Sequence, residues 1–525
     1  MLSGRQTEAG GDRAVTAATF DADVIVSGAG PSGLMVGCET ALGGASTIIL
    51  EKRDGPHLTR AGTLAPRVLE IFASRGIIDA VTARAYELHS DPRTPNGIWA
   101  GLPGIDYTAL ETEYPYVMMF PQIETEQLLA RHFESLGGEI RLKSEVTGLE
   151  QDEEGVTVRY RDGEGRERKL RARYLVGCDG SRSAVRTAAD IAFVGDPASR
   201  IAINVDAFTD NPYPRNLTVS NSENGWAMTY PLRNGLTRFA MIDAATCRDM
   251  SDEQPSLEQA KAMLRRVHGS DFGIREVNSI NKFHDALYLA QQLRKGRVFL
   301  VGESVRVHYP ASGVGMQFCL QDAFNLGWKL AYAARNEAPG WLLDSFTTER
   351  LPEINRLLDN VRTQCAIQFN FDREHVALKK RLEADFLTIP EVNRRICEEL
   401  AGLSVRYPSA DATHDIVGRR FPNLALKNDR HGADSVFSLL RSQKFALIDL
   451  TGRSSLPAVD DGLPVVAASL QAPGGYRGIA SALVRPDGHV AWVGELPLDR
   501  YLPQAEVAEW VPSAASRPLR ATASA

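Results

Sequence analysis

Gly28, Gly30 and Gly33 stand two and three residues apart directly after the apolar run 23–27 (DVIVS). Within the segment Gly28-Ala29-Gly30-Pro31-Ser32-Gly33 each glycine has a separate physical use. Gly28 permits a tight turn out of a strand, and Gly30 lets backbone approach a pyrophosphate. Gly33 lets the next helix pack on the sheet with its N-terminus facing the phosphates. Glu51 ends the next apolar run, eighteen residues beyond Gly33, where a carboxylate accepts from ribose hydroxyls. The spacing predicts a dinucleotide site and does not separate NAD from FAD.

A second glycine cluster lies in residues 302–330, GESVRVHYPASGVGMQFCLQDAFNLGWKL. It reads as a strand end, a loop containing Pro310, and a helix start at Gly313-Val314-Gly315-Met316. Such a start aims amide groups and a positive dipole end at whatever sits before it, which stabilises negative charge there.

The elements needed to position these clusters are legible around them. The run 23–27, a small-residue helix from about 30 to 42 and a second apolar run 47–51 make a βαβ start. Apolar positions recur at helical spacing over 66–78 and 124–136, whereas 140–176 alternates and carries hairpin turns. From 190 to 290 short segments such as TRFAMID and WAMTYPL read as one antiparallel sheet. A buried strand returns at 297–301. The helix after it places Met316, Leu320, Ala323, Gly327, Leu330 and Ala334 on one stripe. More helix is expected to about 400, then a mixed segment with a hairpin turning at Pro486-Asp487-Gly488. The expected fold is α/β: a Rossmann-type domain over 21–189 and 291–400 with its following helices, an inserted antiparallel-sheet domain over 190–290, and a C-terminal domain over 415–500. Residues 1–20 and 511–525 are expected to be tails.

Composition excludes several classes. A net charge of −7 without a basic run argues against nucleic acid. The six cysteines are scattered without a C-x-x-C, which argues against a zinc site or dithiol centre and fits a cytoplasmic setting. No histidine pairing suggests a protein-bound metal. The N-terminal residues lack an apolar signal region, and no segment offers a membrane span.

Further motifs identify a family. Residues 173–186, RYLVGCDGSRSAVR, form a strand ending in Asp179-Gly180. With 60–76 (RAGTLAPRVLEIFASRG), 122–137 (QIETEQLLARHFESLG), the loop at 302–330 and 485–492 (RPDGHVAW), they resemble the group A FAD-dependent aromatic monooxygenases. The likeness is to the para-hydroxybenzoate hydroxylase-like group, nearest the bacterial aromatic polyketide hydroxylase and rifampicin monooxygenase type, and it runs from about 21 to 497. It implies FAD, with NADPH or NADH as co-substrate. The ADP half would be held by Gly28, Ala29, Gly30, Pro31, Ser32, Gly33, Glu51 and Lys52, with Arg53 beside the ribose, Arg60 reaching the pyrophosphate and Val146 flanking adenine. Gln122, Asp179, Gly180, Gly302, Glu303, Pro310, Gly313, Val314, Gly315 and Met316 would hold the ribityl and ring portion. Trp226, Met228, Tyr230 and Phe239 are candidate substrate walls, with plain core as the competing reading of each. The C-terminal segment resembles a thioredoxin-like extension, and with no cysteine after Cys397 it serves packing or association.

The resemblance implies hydroxylation of an aromatic polyketide-type substrate with O₂ through a flavin C4a-(hydro)peroxide, in secondary-metabolite biosynthesis, by a monomer or homodimer. No catalytic acid or base is named. Baeyer–Villiger insertion or oxidative rearrangement of a polycyclic ketone or quinone stays open, as does a non-redox binding role after loss of flavin chemistry. The last arises because the family pattern G-D-A-A-H-x-x-P-P-x-G-G-x-G-x-N-x-G is altered here. Glu303 replaces Asp, Ser304-Val305-Arg306 replace Ala-Ala-His, Tyr309 stands for Pro, Ser312 and Cys319 for Gly, and Gln317 for Asn. Arg306 is expected to be able to pair with Glu303 and compete with the flavin for it.

Overall fold

A computed structural model describes residues 19–495 apart from 56–60, 211–216, 233–234, 252, 410–413, 428–431, 453–464 and 472–477. The expected terminal tails therefore lie outside the described residues, save for residues 19 and 20.

The N-terminal run becomes β1 (Ala22–Ser27), buried along almost its whole length, as a strand covered on both faces must be. It feeds α1 (Pro31–Leu42), with Pro31 in the first turn, where its missing N–H costs nothing. The chain returns as β2 (Thr47–Leu50) and, after α2 (Gln122–Ser135), as β3 (Glu139–Arg141). A long strand β4 (Glu167–Gly177) follows.

The chain then leaves to build a five-stranded antiparallel sheet. Its strands are β5 (Ile201–Thr209), β6 (Thr218–Ser222), β7 (Gly225–Pro231), β8 (Thr237–Asp243) and β9 (Ile274–His284), in the order β6-β7-β8-β5-β9. Between β8 and β9 lies α3 (Leu257–His268), opened by a Ser256–Gln259 capping box and closed by left-handed Gly269. Its apolar stripe, Ala260, Met263, Leu264 and Val267, covers one face of the sheet.

Returning as β10 (Val298–Leu300), the chain completes the parallel order β3-β2-β1-β4-β10. Every neighbouring pair in that series is parallel. Strand order reverses between β1 and β4, which leaves a crevice at their C-terminal ends.

Two long helices follow, α4 (Gly315–Ala334) and α5 (Ser345–Gln368). The single apolar stripe expected of α4 understates its burial, because every residue from Gln317 to Ala334 is buried. The polar side of the helix is covered by α5 and the C-terminal unit, and its charges are paired there. Asp322 accepts from Arg306 at 2.5 Å and from Arg350 at 2.7 Å. Lys329 donates to Glu349, which also accepts from Arg485, both at 2.7 Å. Helices α6 (Arg373–Arg381) and α7 (Pro390–Ala401) complete the helical region.

The C-terminal unit is a four-stranded sheet of β11 (Phe445–Asp449), β12 (Val465–Ser469), β13 (Ser481–Val484) and β14 (Val490–Gly494), in the order β12-β11-β13-β14. The hairpin between its last strands turns at Pro486 to Gly488, as the sequence predicts. Phe445, Leu447 and Leu483 pack on Trp328 and Tyr332 of α4. No helix among the described residues is long and apolar enough to cross a membrane.

His489 is buried in this interface, its ring 4.1 Å from that of Tyr407. Burial, reinforced by the charges of Arg67 and Arg485, pushes its pKa down to about 4 against the hydrogen bond to Asp487. The unfolded chain therefore binds more protons than the folded one between pH 6.5 and 4. Stability should fall as pH drops through that window, by about 3 kcal/mol from this residue. Urea unfolding at pH 7 and pH 4.5 should show a smaller acid loss for His489→Gln than for the parent.

Candidate functional site

Three loops meet at the crevice. Gly28 leaves β1 at φ 103°, and a Cβ there would lie 2.5 Å from the Cys178 carbonyl oxygen after β4. A Cβ on Gly33 would lie 1.9 Å from the Gly28 carbonyl oxygen, so α1 rests directly on the turn. Gly302, at φ 76° after β10, faces Ser32, whose Oγ would be 2.5 Å from an added Cβ. Gly30 differs: a Cβ there would meet nothing within 4 Å. Its face opens toward the α1 N-terminus, which has no side-chain cap. Uncapped amides beside an empty backbone face suit a pyrophosphate.

Glu51 is buried, and it accepts from the Ala29 N–H at 2.7 Å, the Arg53 N–H at 2.9 Å and Arg53 Nε at 2.8 Å. Burial raises its pKa, but these bonds more than compensate, so the carboxylate is held below its ordinary value. It fixes the glycine loop from behind as well as standing where a ribose is expected. Lys52 is exposed beside it. Asp179 caps its own turn, accepting from Ser183 Oγ at 2.5 Å and the Val185 N–H at 3.1 Å. Burial raises its pKa despite these bonds. Gly180 follows at φ 83° with open space around it.

The altered loop is held from several sides. Ser304 Oγ donates to the Gly177 carbonyl at 2.6 Å, locking the turn Gly302–Ser304 to the end of β4. Glu303 is exposed. The expected Arg306–Glu303 pairing is corrected: Arg306 points inward, 1% exposed, and pairs with Asp322 of α4. Burial explains the choice, since only a buried carboxylate can compensate a buried guanidinium. Ser312 takes a left-handed φ of 51° in place of the family glycine. Its hydroxyl lies 2.9 Å from the Ile98 carbonyl and 2.7 Å from Gln364 Oε1, which offsets about 1 kcal/mol of backbone cost. Gln317 bridges the Ala65 N–H and Thr63 carbonyl at 2.9 and 2.7 Å, reaching the segment after Arg60. Arg60 itself lies outside the described residues.

Pro310 is exposed at the mouth of this loop, Gly313 takes φ 69°, and Val314 is the buried N-cap of α4 without a side-chain bond. Met316 is partly buried against the main core. His308, unremarked in the sequence reading, is 3.5 Å through Cε1 from a Cβ placed on Gly315. With its Nδ1 2.7 Å from the Tyr309 carbonyl, the Nδ1–H tautomer leaves Nε2 as an acceptor near the helix start. Burial pushes its pKa down to about 4, so it is neutral there.

Other expected residues are placed less directly. Gln122 braces Ala61, accepting from its N–H at 3.3 Å and donating its own backbone N–H to the Ala61 carbonyl. Val146 is 5% exposed inside the main core, opposite Tyr160. Trp226, Met228 and Tyr230 alternate on one face of β7. That face packs, through Trp226, Ala240 and Ile242, against Tyr309, Ala311 and Val314 of the loop. Phe239 is corrected: the two-residue pleat turns it to the opposite face, into the core with α3. The next residue, Ala240, takes the loop-facing side instead, opposite Met228, while Phe239 pairs with Thr229. Beyond these, Asp206 and Arg238 form a bidentate pair at 2.7 and 2.8 Å on the loop-facing side, with Tyr230 opposite Arg238. Counting alternate positions outward from Trp226 finds this polar row.

Lys379 was not anticipated either. It is 2% exposed, donates to Asn221 and to the Gln368 carbonyl at 3.2 Å, and lies 4.3 Å over the Phe371 ring. Burial pushes its pKa down to about 8.

Glu303 can be tested directly. If it serves a ribityl hydroxyl, Glu303→Asp should leave FAD affinity within about tenfold, and Glu303→Ala should weaken it further. Flavin fluorescence titration of the apoprotein reads both constants. Equal, negligible effects would show that the carboxylate does not touch the cofactor.

Residues 21–361 match the family model described as FAD binding domain, and residues 414–514 match that described as aromatic-ring hydroxylase, C-terminal. Rifampicin monooxygenase of Streptomyces venezuelae is 37% identical over 486 residues, covering 90% of this chain and 96% of its own. The solved structure of the OxyS anhydrotetracycline hydroxylase from Streptomyces rimosus superposes with a TM-score of 0.78 at 32% identity, covering 90% of this chain and 95% of its own. The Diels-Alderase PyrE3 of pyrroindomycin biosynthesis superposes at 0.77 with 26% identity, covering 93% and 99%.

Proposed function

The chain belongs to the family of FAD-dependent aromatic-ring monooxygenases, and from that premise we propose that it hydroxylates a polycyclic aromatic substrate of polyketide type, using NAD(P)H and O₂. The observation that carries this reading is the crevice itself. An uncapped helix start and the open face of Gly30 lie beside a second uncapped helix start, with an antiparallel sheet packed over the loop between them. A pyrophosphate and a ring system fit that donor set.

Gly28 to Gly33, Glu51 and Arg53 would hold the ADP half. Asp179, Gly302, Glu303 and the Gly313 to Met316 helix start would hold the remainder. Bound there, FAD supplies the redox and oxygen-transferring chemistry. The protein's residues do the rest. The amides opening α4 present partial positive charge toward the ring position. His308, held neutral, adds an acceptor there without adding charge. The Trp226, Ile242, Tyr309 and Phe369 cluster keeps water from one side of the loop. Trp226, Met228 and Tyr230 would line the substrate, with Arg238 and Asp206 available to oxygen substituents. The scattered, unpaired cysteines fit a cytoplasmic enzyme.

A second reading rests on the buried Arg306 and exposed Glu303. A loop so changed could serve a cyclisation or binding role without oxygen transfer, and oxygen insertion into a ketone stays within the same chemistry. Purification decides the first question: the proposal expects a yellow protein, or one that takes up FAD on reconstitution. A colourless protein that cannot be reconstituted contradicts it. Product NMR separates hydroxylation from ring insertion.

A further inference from the structure

Behind the loop, a cavity of about 240 Å³ lies between α5 and the strand ends entering the antiparallel sheet. Its α5 wall is a helical stripe at four-residue steps, Val361, Cys365 and Phe369, and Leu287 completes the apolar lining. Phe369, which lines the cavity, meets Tyr309 of the loop edge-on at 4.9 Å and 74°. Tyr309 is the residue standing where the family pattern has proline.

The polar edge is built by Arg200 and Asp285. The Asp285 carboxylate already accepts from the Ser199 N–H and hydroxyl at 2.7 Å and from the Arg200 N–H at 2.9 Å. The Arg200 guanidinium reaches it only at 4.0 Å, and Arg200 Nε is buried with no partner. The rest of the guanidinium, on a side chain 24% exposed, is held only by Ser199 Oγ at 3.4 Å, which leaves it donors for an occupant of the cavity. Arg362 is balanced by Asp196 at 3.4 Å, so the lining carries no net charge and favours a neutral ligand.

We propose that this cavity is a subsite for a neutral, planar aromatic group bearing a carbonyl or phenolic oxygen, which accepts from the Arg200 guanidinium while its ring lies against Phe369. It rests on the function proposed above, and it would hold the part of the substrate remote from the reacting ring. The volume equals that of about eight waters, below the usual range for a whole ligand, so it takes one or two rings of a larger molecule.

The test titrates oxidised, FAD-loaded protein with 2-acetylnaphthalene and with 2-ethylnaphthalene, which lacks the oxygen, by equilibrium dialysis. The parent protein should bind the ketone at least about fivefold more tightly. Ala366→Trp, at an exposed helix position lining the cavity, should weaken both probes about tenfold or more. Cys365→Phe should do the same by a different filling. Arg200→Met should abolish the preference and leave 2-ethylnaphthalene unchanged, with FAD content unaltered in all three variants. Unchanged binding in both filling variants, or a preference that survives Arg200→Met, overturns the subsite. Neither reductant nor O₂ is used, so a failure of NAD(P)H oxidation would contradict the proposed activity and leave this result standing.

Discussion

Gly33→Val should purify free of flavin and fail to take up FAD, a loss of affinity of at least about a thousandfold, or roughly 4 kcal/mol. The added Cβ would stand 1.9 Å from the Gly28 carbonyl oxygen, which is backbone and cannot rotate away. Helix α1 would have to lift from the turn, carrying off the uncapped amides proposed to face the phosphates. Its far side cannot absorb that shift, because a Cβ on Gly37 would already lie 2.8 Å from Ile49 and one on Gly327 lies 2.3 Å from the Glu39 side chain. Gly30→Ala is the informative contrast. Its Cβ meets no protein atom within 4 Å, so the fold should keep its melting temperature while FAD affinity falls. Loss of stability in Gly30→Ala with FAD affinity intact would mean that the open face is not where the cofactor lies.

Asp322→Ala should destabilise the protein by about 3–5 kcal/mol, the largest stability effect expected of any single change in the site region. Asp322 is 1% exposed and pairs with two guanidinia, Arg306 at 1% and Arg350 at 0% exposed. Removing it buries two positive charges together. Arg306 belongs to the loop proposed to hold the flavin and Arg350 to α5, so the loss should also loosen the loop and lower FAD occupancy. Urea unfolding reads the first effect and flavin content the second. The paired change Asp322→Ala with Arg306→Met should recover part of the stability, since it removes one of the orphaned charges. No recovery would mean that the destabilisation comes from the cavity and not from charge.

The parallel sheet and its glycine turn were legible because a strand buried on both faces reads as a continuous apolar run, and Gly28, Gly30 and Gly33 each answer to a local steric need. The hairpin at Pro486-Asp487-Gly488 was legible for the same reason, its turn chemistry being local. What sequence could not supply was partner choice across long separations. Arg306 looked toward Glu303, three residues away, whereas the fold brings it Asp322 from the next helix. Helix α4 read as amphipathic because Asp322, Asn325 and Lys329 share a side, yet that side is buried against α5 and the C-terminal unit. Phe239 was misplaced by one pleat, because aromatic character alone does not give the face of a strand. Arg238 and Asp206 become visible only once the antiparallel register is known, and Lys379 only once α6 is packed over Phe371 and Asn221.

In the proposed function this crevice holds FAD, and one oxygen atom passes to an aromatic substrate. The most direct measurement is mass spectrometry of the product from a polycyclic phenol incubated with the FAD-loaded protein, NADPH and isotopically labelled O₂. One labelled oxygen in the product, formed only with reductant and absent with Gly33→Val, is the result expected here. A substrate converted without reductant, or a product carrying no label from O₂, would contradict it.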